Sequence, residues 1–177
     1  MQLKNLLFVP GYLLFVIMLS SCSEKEVVWT HYKSPDNKFE ISFPGEFEEN
    51  RNTVYPNQER LDIKLLGYKD KAHFLMLNVM SAKSSFTDVM SESDLMNMIR
   101  SNNKFTSKGK ILSEDRVFSG SNIGKQFVYE LNNTSSKATI RYFIVDTDLY
   151  VITALPINKD ARDDYFDNFL NSFKILT

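Results

Sequence analysis

Three stretches of this chain are apolar on both of their alternating sides, which sharply limits the folds open to it. "HFLMLNVM" (His73–Met80) places Phe74, Met76 and Met80 on one side of an extended strand and Leu75, Leu77 and Val79 on the other. "TIRYFIV" (Thr139–Val145) and "LYVITAL" (Leu149–Leu155) are likewise mostly apolar on both sides. Successive side chains of a strand point to opposite faces, so a strand apolar on both is covered on both. A sheet holding these strands needs one layer of cover above it and another below.

The rest of the pattern supplies both the sheet and its cover. "FEISF" (Phe39–Phe43) and Leu61–Leu65 alternate apolar and polar residues, as half-buried strands do. "KGKILSEDRVF" and "GKQFVYEL" read as strands paired around Ser119-Gly120-Ser121-Asn122, and Asp146-Thr147-Asp148 is a tight turn between the last two strands. Residues 87–103 change to helical period, with Leu95, Met98 and Ile99 in register and Ser91 or Ser93 as a cap. Phe166, Phe169, Leu170 and Phe173 make a second helical stripe, with Asp160 as its expected N-cap, Asp163 and Asp164 at the positive end of its dipole and Lys174 at the negative end. The expectation is an α+β fold: a mostly antiparallel sheet of about seven strands with one helix on each face, an α/β/α sandwich. Pro44–Glu59, "PGEFEENRNTVYPNQE", reads as a long polar surface loop.

The N-terminus has a different character. Leu6–Leu19 is apolar, with Lys4 the only charge before the chain's single cysteine, Cys22. Fourteen residues span about 21 Å as a helix, short of a bilayer core of about 30 Å. A basic start, a short apolar run and small residues after it make a secretory signal. Its end, Leu19-Ser20-Ser21-Cys22, resembles the bacterial lipobox, which implies cleavage before Cys22 and lipidation of that cysteine. Two or three acyl chains hold a protein on a membrane durably without spanning it. The expected organisation is a signal peptide over 1–21, an acylated N-terminus and tether over 22–29, and a single domain over 30–177. No Asp follows Cys22 directly, and by the same resemblance this favours the outer membrane of a bacterial envelope, facing the periplasm or the cell surface.

Removal of residues 1–21 leaves 156 residues with 20 basic and 22 acidic side chains, a formal charge of −2. That balance lacks the basic footprint of a nucleic-acid binder. With Cys22 acylated, no thiol remains for a disulfide, a cysteine metal site or thiol catalysis.

"NKFEISFP", "GKQFVYEL…ATIRYFIVDTDLYVITA" and "YFDNFLNSFKIL" together resemble the PsbP-like family over roughly residues 30–177. Its fold is shared by a photosystem subunit, a eukaryotic Ran-binding protein and many bacterial lipoproteins. The resemblance implies a helix–sheet–helix sandwich and a role in binding or assembling protein complexes. It brings no functional residue with it.

Residues able to do chemistry are sparse. His31 and His73 are two histidines without a metal-ligand spacing, and both read as sheet-edge residues. Asp160, Asp163, Asp164 and Asp167 lack the glycine of a calcium loop, and Met90, Met96 and Met98 read as filler on a helix face. "GSNIG" (Gly120–Gly124) lacks the Lys-Ser/Thr ending of a phosphate loop. No enzyme, metal or cofactor is expected. Phe47, Arg51 and Tyr55 of the polar loop are the candidate partner contacts, since aromatic residues and Arg anchor interfaces. The sequence thus points to a lipid-anchored, non-catalytic module that binds or assembles an envelope protein, with a carrier of a hydrophobic or lipid ligand as the alternative.

Overall fold

The computed structural model describes residues 27–55, 59–84, 91, 94, 97, 110–131 and 136–176. Its strands are β1 (Thr30–Lys33), β2 (Phe39–Phe43), β3 (Glu48–Val54), β4 (Leu61–Lys69), β5 (His73–Ala82), β6 (Lys110–Ser119), β7 (Asn122–Glu130), β8 (Lys137–Val145), β9 (Asp148–Pro156) and β10 (Lys174–Ile175); its helix is α1 (Asp163–Ser172). The strands form two sheets, where the sequence suggests one. Seven lie in the order β3-β4-β5-β9-β8-β7-β6, and β1, β2 and β10 form a small separate sheet with β2 in the middle. Every pairing is antiparallel. The fold is therefore α+β and mostly antiparallel.

One face of the large sheet carries the main core. Leu75, Leu77, Val79, Tyr150 and Ile152 meet Phe39, Ile41 and Phe43 of β2 and Phe169, Leu170 and Phe173 from α1 and its end. The alternation read in "FEISF" and the aromatic stripe of the helix are both realised, each turned onto this face. The other face buries a second cluster, including Ile140, Leu149 and Phe127, and every member of it comes from the large sheet or the residue just after β7. Strand β9 is thus buried on both sides, as its sequence requires, whereas β8 is buried along one side and on the other only at Phe143.

The helix expected over 87–103 lies mostly outside the described residues. Of that stretch, Asp94 and Asn97 are helical. The Ser91 hydroxyl accepts the Asp94 amide at 3.2 Å and donates to its carboxylate at 2.6 Å, which is N-cap geometry.

Three local readings are corrected. Pro44–Glu59 is not a continuous loop: Glu48–Val54 is the edge strand β3, paired residue for residue with β4. Its polar sequence suits an edge, where charge discourages pairing with another chain. Helix α1 begins after Arg162 and has no side-chain cap, so Asp160 does not cap it; Asp163 and Asp164 do sit in its first turn. Lys174 lies beyond the helix in β10 and pairs with Glu40 at 3.0 Å. The cation at the helix end is Arg141 of β8, which donates to the Leu170 carbonyl at 2.8 Å and to Asn171 Oδ1 at 3.0 Å.

Two backbone positions depend on particular residues. Asp146 turns β8 into β9 with a φ of 51°, a left-handed conformation that Asp tolerates. Gly124 of β7 lies opposite Phe143, and a Cβ there would strike the Tyr142 carbonyl and the Phe143 ring.

Candidate functional site

A cleft of ≈ 550 Å³ opens between the Ser34–Lys38 turn and the β3 end of the large sheet. The pairing registers lay its floor as two cross-strand rows on one face. Thr53, Asp62, Ser81 and Asp148 form the first, across β3, β4, β5 and β9; Arg51, Lys64, Val79 and Tyr150 form the second. Asp36, Lys38 and Phe39 wall it from above, and Arg60 stands just before β4. The site is built on strands, so its charges are held at fixed spacings.

Most of those charges are tied to one another. Asp62 accepts the Thr53 hydroxyl at 2.6 Å and the Arg60 Nε–H at 3.0 and 3.1 Å. These hydrogen bonds, led by that from Thr53, hold the Asp62 carboxyl below the usual carboxylate range. Asp148, only 4% exposed, accepts the Lys38 ammonium on Oδ2 at 2.6 Å, and that bond holds Lys38 above the usual lysine range against the penalty of burial. The other oxygen of Asp148 is buried with no hydrogen-bond partner among the described residues. Lys64 differs from its neighbours: its Nζ lies 5.6 Å from the centre of the Phe39 ring, and no carboxylate of a described residue lies within 4 Å of it.

A second polar cluster surrounds His73, which is 4% exposed and not the sheet-edge residue expected. Its Nε2 accepts the Arg162 amide at 2.8 Å, so its proton sits on Nδ1, which donates to Asp70 at 3.0 and 3.1 Å. Asp70 also accepts the amides of Ala72 and His73 and the Tyr68 hydroxyl. Burial pushes the Asp70 carboxyl up, but these donors outweigh it and leave it below the usual range. An Asp–His pair invites a catalytic reading. Here the nitrogen that a general base needs is already occupied by a backbone amide, so the pair serves as a structural clamp. His31 hydrogen-bonds Ser42 at 3.3 Å on the small sheet.

The residues singled out from the sequence are scattered. Cys22 and Leu19, Ser20 and Ser21 lie outside the described residues, as do Met90, Met96 and Met98. Phe47 turns inward, stacked on Phe43 with ring centres 4.8 Å apart and edge-on to Tyr32 at 5.6 Å. Arg51 lines the cleft and bonds Glu49 through Nε at 2.7 Å and Nη2 at 2.6 Å. Tyr55 is 66% exposed, just past β3. Sequence reasoning missed Lys38, Lys64 and Asp148 as site residues. Lys64 alternates with apolar neighbours and so resembles any solvent-facing lysine, and Asp148 resembles any turn aspartate.

Among the described residues no cluster of side chains is arranged to hold a metal, and no helix is long and apolar enough to cross a membrane. A cross-strand apolar pair, Phe118 and Ile123 at the β6–β7 tip, is 68% and 60% exposed. No family model matches the chain, and no curated protein matches it.

Proposed function

We propose that this chain is a lipid-anchored, non-catalytic binding module of a bacterial envelope, held at the outer membrane through acylated Cys22 and bound to an envelope protein. The cleft carries this reading. It is an open, charged surface on fixed strands whose acids are engaged by neighbouring donors, an arrangement suited to holding a ligand and not to moving protons. The exposed Phe118–Ile123 pair adds an apolar contact point of the kind that partner proteins cover. The proposal includes a PsbP-like sandwich in which a helix over 87–103 covers the second face of the large sheet. The N-cap geometry at Ser91 and the burial of Leu149 and Ile140 on that face support it.

A hydrophobic carrier is less well supported. The apolar hollow at Phe74, Leu155 and Ile157 is ≈ 220 Å³, below the range of about 300–1,000 Å³ typical of ligand pockets.

Metabolic labelling with a fatty acid tests the anchor: the parent chain takes up label and Cys22→Ser does not. Equal labelling of both sinks the anchor. Photo-crosslinking in intact cells, with the crosslinker at Tyr55 or Phe118, tests the module. A discrete envelope-protein adduct supports it, and no adduct from either position refutes it.

A further inference from the structure

We propose that Arg51 and Lys64 seat a phosphate group in the cleft. The inference rests on the reading of the cleft as a binding site and names the chemistry it takes. Arg51 of β3 lies directly opposite Lys64 of β4 in the antiparallel register. Like charges so placed destabilise a sheet unless something lies between them. Both line the same cleft. The other two cations there each have a carboxylate: Lys38 holds Asp148 at 2.6 Å, and Arg60 holds Asp62 at 3.0 Å. Arg51 also has one, Glu49, two residues before it on β3. Among the described residues, Lys64 has the face of Phe39 and a longer-range attraction to Asp36, but no carboxylate within 4 Å. An ammonium with no carboxylate in contact, beside a guanidinium and under a ring, matches a compact dianion: Lys supplies a point charge and Arg a planar donor fork.

The acids that share the cleft narrow the class further. Asp36, Asp62 and Asp148 line it with the four cations. They leave the cleft with one cation more than acids, a balance that suits a single phosphate better than a polyphosphate or nucleic acid. The unpartnered Asp148 oxygen suits a ligand whose remaining part donates a hydrogen bond. The phosphate belongs either to a free phosphoester or to a phospholipid headgroup.

Amine labelling of the full chain in detergent micelles tests this, read residue by residue by mass spectrometry. Lys64 is compared with Lys33 of β1, which lies outside the cleft. With inorganic phosphate or glycerol phosphate at twice its Kd, Lys64 labelling slows about threefold while Lys33 is unchanged. Protection by these soluble probes assigns a free phosphoester; protection only in micelles doped with an anionic phospholipid assigns a headgroup. Arg51→Gln, a change on an exposed edge strand, abolishes the protection, each protein being compared with its own labelling rate in the absence of phosphate. No protection under any of the three conditions, or equal protection in Arg51→Gln, overturns the proposal. That result leaves the binding-module reading standing, since cellular crosslinking decides that reading independently.

Discussion

The imidazole Nε2 of His73, at the start of β5, accepts the backbone amide of Arg162, 89 residues away, at 2.8 Å. The contact does the work of a helix cap, since α1 has no side-chain cap of its own. Tyr165 from the first turn lies flat against the same ring, with centroids 4.5 Å apart and 10° between planes. Long-range nitrogen NMR should find the proton on Nδ1 and none on Nε2. His73→Ala strands the Arg162 amide and one face of Tyr165, and should cost about 3 kcal/mol by urea unfolding. A loss below about 0.5 kcal/mol would mean that the clamp is not formed.

Gly124→Ala should destabilise by about 2 kcal/mol, because the added methyl meets the backbone of β8 as well as a ring. Gly67→Ala is the control. A methyl group added there meets no atom within 4 Å, so removing a flexible residue from a strand should leave stability unchanged or raise it by about 0.5 kcal/mol. Thermal melts of the two variants should move apart.

Phe47 and Tyr55 should separate packing from contact. Phe47→Ala opens a gap beside Phe43 and Tyr32 and should cost about 2 kcal/mol in chemical denaturation. Tyr55→Ala should stay within about 0.5 kcal/mol of the parent while weakening any partner that uses that edge. Equal destabilisation by both would contradict the placement of the two rings.

Burial, helped by the hydrogen bond to Asp70, pushes the Tyr68 phenol up to about 12. Above its ordinary value near 10 the unfolded chain loses this proton while the folded chain keeps it, so stability falls as pH rises through that interval. Tyr68→Phe should flatten the fall, measured as the urea midpoint against pH. Asp70 acts at the other end of the scale. Its folded carboxyl is held low, so its contribution is present above the ordinary carboxylate range and is lost as pH falls through the folded value. Asp70→Asn should weaken the fold at neutral pH and soften the acid limb.

What could be read from the sequence follows from burial. Strands β2, β5, β8 and β9 and the stripe of α1 bury apolar residues at regular spacing, and that spacing is visible in one dimension. Strand β3 has no such signal. "EENRNTV" is exposed over its first five residues and is held by its backbone ladder to β4, which any side chain permits. Strand β10 has two residues, too few to show a period. The division into two sheets was hidden because alternation in "FEISF" tells which side is buried and not which strand lies alongside. The cleft was hidden for a related reason. Asp62, Lys64 and Asp148 come together through pairings β4–β5–β9 that no local pattern encodes. Arg51 is legible in the sequence as a contact residue of a polar segment, but its alignment with Lys64 exists only in the register.

The small sheet has a consequence for how the chain becomes a protein. β2 is zipped on one side by β1 and on the other by β10, and the Ser42 amide is held by the Ser172 hydroxyl across 130 residues. A chain that emerges in order, from a ribosome or through a pore, carries its first hairpin out early and cannot lock it. Phe39, Ile41 and Phe43 can rest on the large sheet, but their cover is complete only when Phe169 and Phe173 arrive. The small sheet is therefore completed last, when the far end of the domain arrives and fastens beside its beginning.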